Sequence, residues 1–265
     1  MKKLNLKNKF KLLIKKVIVS PFRCFGSLFL NKKTTIVMGC SSNHFSSMLQ
    51  LINSIKLIDQ SNTRIVAYDL GLNEDEKLFF NEKNPDVILK KFDYSKYPSF
   101  FNIEIKAGAY AWKPAMIYDE YSSLRKNDYL IYLDAGCFVT KPMSLIRAVI
   151  CMNGLYCNFT GGIIRNMTHS KTLETIGEEG INDLKMIQAG VIGLKVGTAA
   201  NDNLIHSWYA NACQESIISP ENSSQSNHRY DQSLFSLQVY KSYKSKRRPF
   251  LSYQTYEIAV HSDIG

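Results

Sequence analysis

Asn127-Asp128-Tyr129-Leu130-Ile131-Tyr132-Leu133-Asp134-Ala135-Gly136-Cys137 is the stretch from which the fold is read. Tyr129 to Asp134 contains no turn former, and every residue before the aspartate is aromatic or aliphatic. Such a run, with Asn-Asp before it and Gly after it, predicts a strand buried on both faces. An unpaired carboxylate is costly in a core. Asp134 therefore belongs at the carboxyl edge of the sheet, where open α/β folds bind their ligands. The plainer reading is a strand-end aspartate that caps the following turn.

Working outward from that strand, buried runs alternate with amphipathic ones. Thr34 to Met38 reads as a strand, followed by the small polar loop Gly39-Cys40-Ser41-Ser42-Asn43 and a helix carrying Phe45, Met48, Leu49, Ile52 and Ile55 on one face. The loop lacks both GxGxxG and GxxxxGK[ST], which excludes a dinucleotide fingerprint and a P-loop. Arg64 to Asp69 predicts a second strand ending in an acid. Asn73 then caps a helix whose first turn holds Glu74, Asp75 and Glu76. Asp86 to Phe92 predicts a third strand, Leu155 to Thr160 and Ile187 to Val196 later ones, and Tyr256 to Asp263 the last. Helices are expected after Lys113, after Pro142, around Trp208 and from His228 to Leu237. This alternation predicts a mainly parallel, Rossmann-like sheet flanked by helices, in one globular unit over residues 34–265.

The formal net charge of +10 looks like a nucleic-acid signal until it is located. Residues 1–33 carry nine lysines, one arginine and no acid, and the remaining 23 basic residues balance 23 acidic ones. The body is neutral, which argues against nucleic acid as a partner. In residues 1–19 lysines alternate with leucine, isoleucine and valine. That pattern suits a basic helix lying on an anionic membrane surface, or else an unstructured lysine-rich leader. No apolar run there is long enough to span a bilayer. Six cysteines without a CxxC pair suit a reducing compartment, so a cytoplasmic protein is expected, peripheral on the inner face of a membrane if the tail binds lipid.

Several motifs then follow in order: Lys106-x-x-x-Tyr110-x-Trp112-Lys113-Pro114, Tyr132-Leu133-Asp134-Ala135-Gly136, Gln188-Ala189-Gly190-Val191-Ile192-Gly193 and His228-Arg229-Tyr230-Asp231-Gln232-Ser233. Together with the leading strand and its loop, this pattern resembles the GT-A glycosyltransferases of the glycogenin-like and bacterial polysaccharide or lipopolysaccharide type. The likeness covers residues 34–263. It implies a nucleotide-sugar donor held by residues 34–140 and a saccharide or lipid-linked acceptor held by residues 141–265. Gly39, Ser41 and Asp69 are expected around the nucleotide, with Tyr110, Gly136 and Gln232 toward the donor. Enzymes of this type use Mn²⁺ or Mg²⁺ held by Asp-x-Asp and a later histidine. Here Gly136 stands where the second carboxylate would be, leaving Asp134 and His261 as ligands and Asp263 as a third. Without a metal, Lys106, Lys113 or Arg229 must face the departing phosphates. Two assignments of the reacting centre stay open. In one, Asp231 is a general base. In the other, Gln188 faces the sugar while Asp231-Gln232 orient the donor. The missing carboxylate also admits a degenerate module that binds nucleotide-sugar without turnover.

Overall fold

A computed structural model describes residues 32–59, 62–243, 256–260 and 263. In chain order its elements are β1 (Thr34–Cys40), α1 (Phe45–Ile58), β2 (Thr63–Asp69), α2 (Glu74–Lys83), β3 (Ile88–Lys91), α3 (Trp112–Ser123), β4 (Tyr129–Leu133), β5 (Phe138–Val139) and α4 (Ser144–Asn153). There follow β6 (Leu155–Tyr156), β7 (Phe159–Ile163), α5 (Ser170–Ile176), β8 (Lys185–Ile187), β9 (Val191–Lys195), α6 (Ala199–Ala212), α7 (Asp231–Ser242) and β10 (Ile258–Ala259). Short helical turns fill several of the connections.

Six strands form one sheet in the order β3-β2-β1-β4-β9-β6. The β1–β2, β2–β3 and β1–β4 ladders are parallel, whereas β9 runs antiparallel to both β4 and β6. The expected mainly parallel α/β sheet is therefore present. Its direction of winding reverses between β1 and β4, and the crevice at such a switch point is where open α/β sheets bind ligands.

Both faces of the sheet are covered, so its strands alternate between two cores. Ile36, Met38, Ile131 and Leu133 pack with Met48, Leu51 and Ile52 of α1 and Ile146 of α4. Val37, Leu130 and Tyr132 pack on the other face with Met116 of α3, Trp208 of α6 and Phe235 of α7. Each large apolar side chain buried this way contributes about 1.5–3 kcal/mol. At the opposite edge of the sheet from the crevice, the fully buried Arg147 makes a bidentate ion pair with Asp59, at 2.8 and 2.7 Å, and also reaches the hydroxyls of Thr34 and Thr63. This pair ties α4 to the starts of β1 and β2.

Three expectations are revised locally. The predicted strand 155–160 is split into β6 and β7, and β7 pairs with β8 outside the main sheet. The last helix begins at Asp231 rather than His228, because Tyr230 adopts φ 46°, ψ −120° and breaks the helical path. Within 256–263 the only ladder among the described residues is Ile258–Ala259 against Val139–Phe138. No helix among the described residues is long and apolar enough to cross a membrane. The basic stretch 1–19 and His261 lie outside the described residues.

Candidate functional site

A cleft of about 810 Å³ opens at the carboxyl ends of β1 and β4. Its near wall is the β1–α1 connection, Gly39 to His44. Gly39 packs closely against its neighbours: a Cβ there would come within 2.9 Å of Met116 Sδ and 3.3 Å of Tyr68 Cβ. Its far wall is the segment before α3, and this segment is strained. Lys106, Ala107, Gly108, Ala109 and Tyr110 all have φ between 48° and 61°. Each left-handed non-glycine residue costs roughly 1–2 kcal/mol. The turn is held by Gly108 N–H donating to Ile105 O at 2.8 Å and by Trp112 Nε1–H donating to Ala107 O at 3.1 Å. A Cβ on Gly108 would overlap the Phe101 carbonyl, so the turn also needs glycine there for space. Backbone strain of this kind gathers at ligand-binding sites. Its effect is to bring Ala107, Tyr110, Trp112 and Lys113 into the cleft.

The cleft floor is an ion triad. Lys113 sits in the first turn of α3, and its Nζ lies 3.1 Å from Asp134 Oδ1 and 3.1 Å from Asp231 Oδ2. A cation at a helix N-terminus opposes the helix dipole, and this one is also buried, with 7% of its side chain exposed. Burial works against the charged ammonium, but the two carboxylates outweigh it and hold its pKa above the ordinary lysine value. The rings of Tyr132, Tyr110 and Trp112 surround it, with centroids 5.4, 5.9 and 6.0 Å from Nζ. Tyr132 also donates its hydroxyl to Asp134 Oδ1 at 2.7 Å, and Asp134 N–H donates to Gly190 O at 2.9 Å. Gly190 lets the other carboxylate oxygen approach: a Cβ there would lie 2.7 Å from Asp134 Oδ2.

Asp231 is buried behind Lys113 rather than in the cleft lining. Desolvation pushes its pKa up to about 6, although Lys113 pulls the other way. Tyr230, in its strained conformation, places Asp231 at the α7 start, where the Trp208 indole donates to the Asp231 carbonyl at 2.9 Å. The loop ahead of it is fastened by His228, whose Nε2 faces Ile218 O at 2.9 Å and whose Nδ1 accepts from His169 N–H at 3.2 Å. Burial lowers the His228 pKa to about 4, so this ring is a neutral structural bracket.

Gly39, Ser41, Tyr110, Lys113, Asp134, Gly136 and Gln188 thus share one cleft, with Asp231 in contact through Lys113. Four expected residues lie elsewhere. Asp69 is buried beneath the loop, where its Oδ1 accepts from Gly71 N–H at 2.8 Å and Leu72 N–H at 2.6 Å. Lys106 is exposed at the start of the left-handed turn, and Gln232 lies in the first turn of α7; neither lines the cleft. Arg229 is exposed and likewise lines nothing there. Tyr132 of the Tyr-Leu-Asp-Ala-Gly motif joins the site through Asp134, whereas His44 and Glu104 join it without a signal in the sequence.

No three His, Cys, Asp or Glu side chains among the described residues form a metal-binding group. The donor chemistry nevertheless suits a hard cation shared with a substrate. Mg²⁺ is commonly held by one or two carboxylates together with substrate phosphates, and Asp134 and Asp263 both line the cleft.

The six-stranded sheet wound about β1 and β4, with Asp134 following β4 over the crevice, has a GT-A-like fold. The bifunctional glycosyltransferase WbbM, in its apo form, superposes with a TM-score of 0.53 at 16% identity, over 80% of this chain and 38% of that one. This chain therefore spans well under half the length of that protein. The galactosyltransferase LgtC, in complex with donor and acceptor sugar analogues, gives 0.44 at 12% identity over 87% and 84% of the two chains. Mouse xyloside xylosyltransferase 1 gives 0.46 at 8% identity over 80% and 82%. A family described as a protein of unknown function (DUF1647) matches residues 11–118. No curated protein sequence matches significantly.

Proposed function

We propose that the protein is a glycosyltransferase that moves a sugar from a nucleotide-sugar donor to a saccharide or lipid-linked glycan acceptor. The observation that carries this reading is the buried Lys113 ammonium, held at the cleft floor between Asp134 and Asp231. Glycosyl transfer leaves negative charge on a departing diphosphate, and a fixed cation in a site of low dielectric stabilises that charge strongly. Asp134 and Asp231 fix the ammonium in place before substrate arrives. Asp231 is thus a positioning residue in this scheme rather than the general base. The Gly39–Asn43 loop takes the nucleotide, Tyr110 and Trp112 offer aromatic surface, and Gln188 offers its amide toward the sugar. A divalent cation held by Asp134 would neutralise further diphosphate charge.

A setting beside lipid-linked acceptors, in surface polysaccharide or glycan synthesis, accords with the basic amphipathic pattern of residues 1–19. Gly136 in place of a second acid supports one other reading, a binding module without turnover. A panel of UDP-, GDP- and CMP-sugars, assayed for donor hydrolysis with and without Mn²⁺, separates the two. Hydrolysis lost in Asp134→Ala is the expected result. Donor binding without any turnover would favour the module, and no binding of any donor would end both readings.

A further inference from the structure

We infer that a second cavity, at the end of the sheet away from the cleft, binds an uncharged oligosaccharide chain on the ring of Tyr118 and the carboxylate of Asp202. This rests on the transferase reading and deepens it: the acceptor becomes a glycan of several units, gripped outside the reacting centre. The cavity, of about 610 Å³, lies between the later turns of α3, the first two turns of α6 and the segments before β4 and after β9. It shares no lining residue with the cleft.

Directed contacts fix its shape. Tyr121 donates its hydroxyl to Asp202 Oδ1 at 2.6 Å and accepts from Gly197 N–H at 3.1 Å. Gly197 has φ 75°, and a Cβ there would lie 2.7 Å from Lys126 Cγ and 3.3 Å from Lys126 Cα. Asp202 is exposed, and its Oδ2 takes no hydrogen bond from the described residues. A carboxylate only accepts, so a ligand rich in hydroxyl donors suits it. Tyr118 is half-buried; its ring stacks on Tyr209 at 4.4 Å and 12°, and His206 flanks it at 6.2 Å. A pyranose has apolar C–H faces and hydroxyl edges, which match an aromatic surface beside a carboxylate. Lys126 and Asp202 offset each other in the lining, with His206 beside them. Neither a phosphate group nor an anionic membrane is favoured by so balanced a charge.

Aromatic rings also connect the two cavities. Tyr94 of the cleft wall packs on Phe92 at 4.8 Å, and Phe92 stacks on Tyr97 at 5.0 Å. Tyr97 lies within electrostatic range of Tyr209, which carries the path on to Tyr118. Along α3, the step from Lys113 to Tyr121 is about 12 Å. A single sugar ring in the cleft is too short for that span, whereas a chain of several rings covers it.

The test is retention on immobilised neutral glycans, from monosaccharides to hexasaccharides of glucose, galactose, mannose, rhamnose and N-acetylglucosamine. Wild type is compared with Tyr118→Leu, Asp202→Asn and the exposed control Asp183→Asn, each checked for native circular dichroism. Binding of UDP-, GDP- and CMP-sugars is measured on the same proteins. Wild type and the control should hold at least one oligosaccharide more tightly than its monosaccharide. Both site variants should hold it about tenfold more weakly, with nucleotide-sugar affinity unchanged. Wild-type glycan affinity in either site variant, or no retention of wild type on any glycan, overturns the inference. Tyr118-dependent sedimentation with phosphatidylglycerol vesicles in place of glycan retention overturns it in favour of a membrane surface. Glycan retention that depends on both residues, with no nucleotide-sugar bound, upholds the glycan site and removes the transferase reading instead.

Discussion

The ammonium of Lys113 reaches across the cleft floor to Asp231, 3.1 Å away, and so joins the first turn of α3 to the first turn of α7. Both side chains are almost fully buried. Removing one partner of a buried ion pair leaves the other charged and unsolvated, typically at about 3–5 kcal/mol.

Lys113→Met should therefore lose about 3–5 kcal/mol of unfolding free energy at pH 8. The loss should be smaller at pH 5, where Asp231 takes up a proton. Urea denaturation at the two pH values checks this. Equal losses at both would show that the pair is not electrostatically coupled. Donor turnover should disappear in this variant at either pH.

Asp231 has its own pH signature. Its folded pKa, about 6, lies above the ordinary aspartate value of 3.8. The stability it contributes is therefore complete below 3.8 and lost as pH rises through 6. Asp231→Asn should flatten the decline in wild-type stability between pH 3.8 and about pH 6. It should also lower turnover, because Lys113 loses one of its two anchors. A variant whose stability keeps the wild-type pH slope would assign that slope to another group.

The left-handed turn gives a steric prediction. Gly108→Ala places a methyl on the Phe101 carbonyl and should cost about 2 kcal/mol or more. Because this turn presents Tyr110 and Trp112, nucleotide affinity should fall with stability. Calorimetric unfolding and nucleotide titration measure the two effects.

Glu257 fastens the segment that carries Asp263. Its carboxylate accepts from Leu145 N–H at 2.8 Å and Ile146 N–H at 3.0 Å, at the start of α4. Burial nevertheless raises its pKa to about 7 against those contacts and the nearby Arg147. Its contribution is present below 4.5 and lost as pH rises through 7. Limited proteolysis should cut more readily near β10 at pH 8 than at pH 6, and Glu257→Gln should remove that difference.

The Asp134 strand was legible because burial on both faces leaves an unbroken apolar run, and a charged residue must end it. Lys113 and Tyr110 were legible through the Lys-x-x-x-Tyr-x-Trp-Lys-Pro motif that carries the family resemblance. Asp69 shows the limit of such reasoning. A strand-end acid either faces a ligand or accepts the N–H groups of the next turn, and only the path of Gly71 and Leu72 decides between them. The left-handed turn had one glycine in five residues as its signal, because tertiary contacts with Phe101 and Trp112 impose it. Asp231 could be named but not placed, since its burial depends on the backbone of Tyr230. That Asp263 lies over Gly136 depends on the β5–β10 pairing, and pairing between residues 138 and 259 leaves no local pattern.

The neighbouring of β1 and β4 also governs how the chain folds. Thr34 pairs with Tyr129, so the central ladder closes a loop of nearly one hundred residues, whereas β1, β2 and β3 pair within a much shorter span. Long loops carry a closure entropy that must be met before their contacts form. On sequence separation alone, the three leading strands are expected to pair before β4 docks. Asp134 follows directly after that strand, so the binding cleft is assembled late in folding.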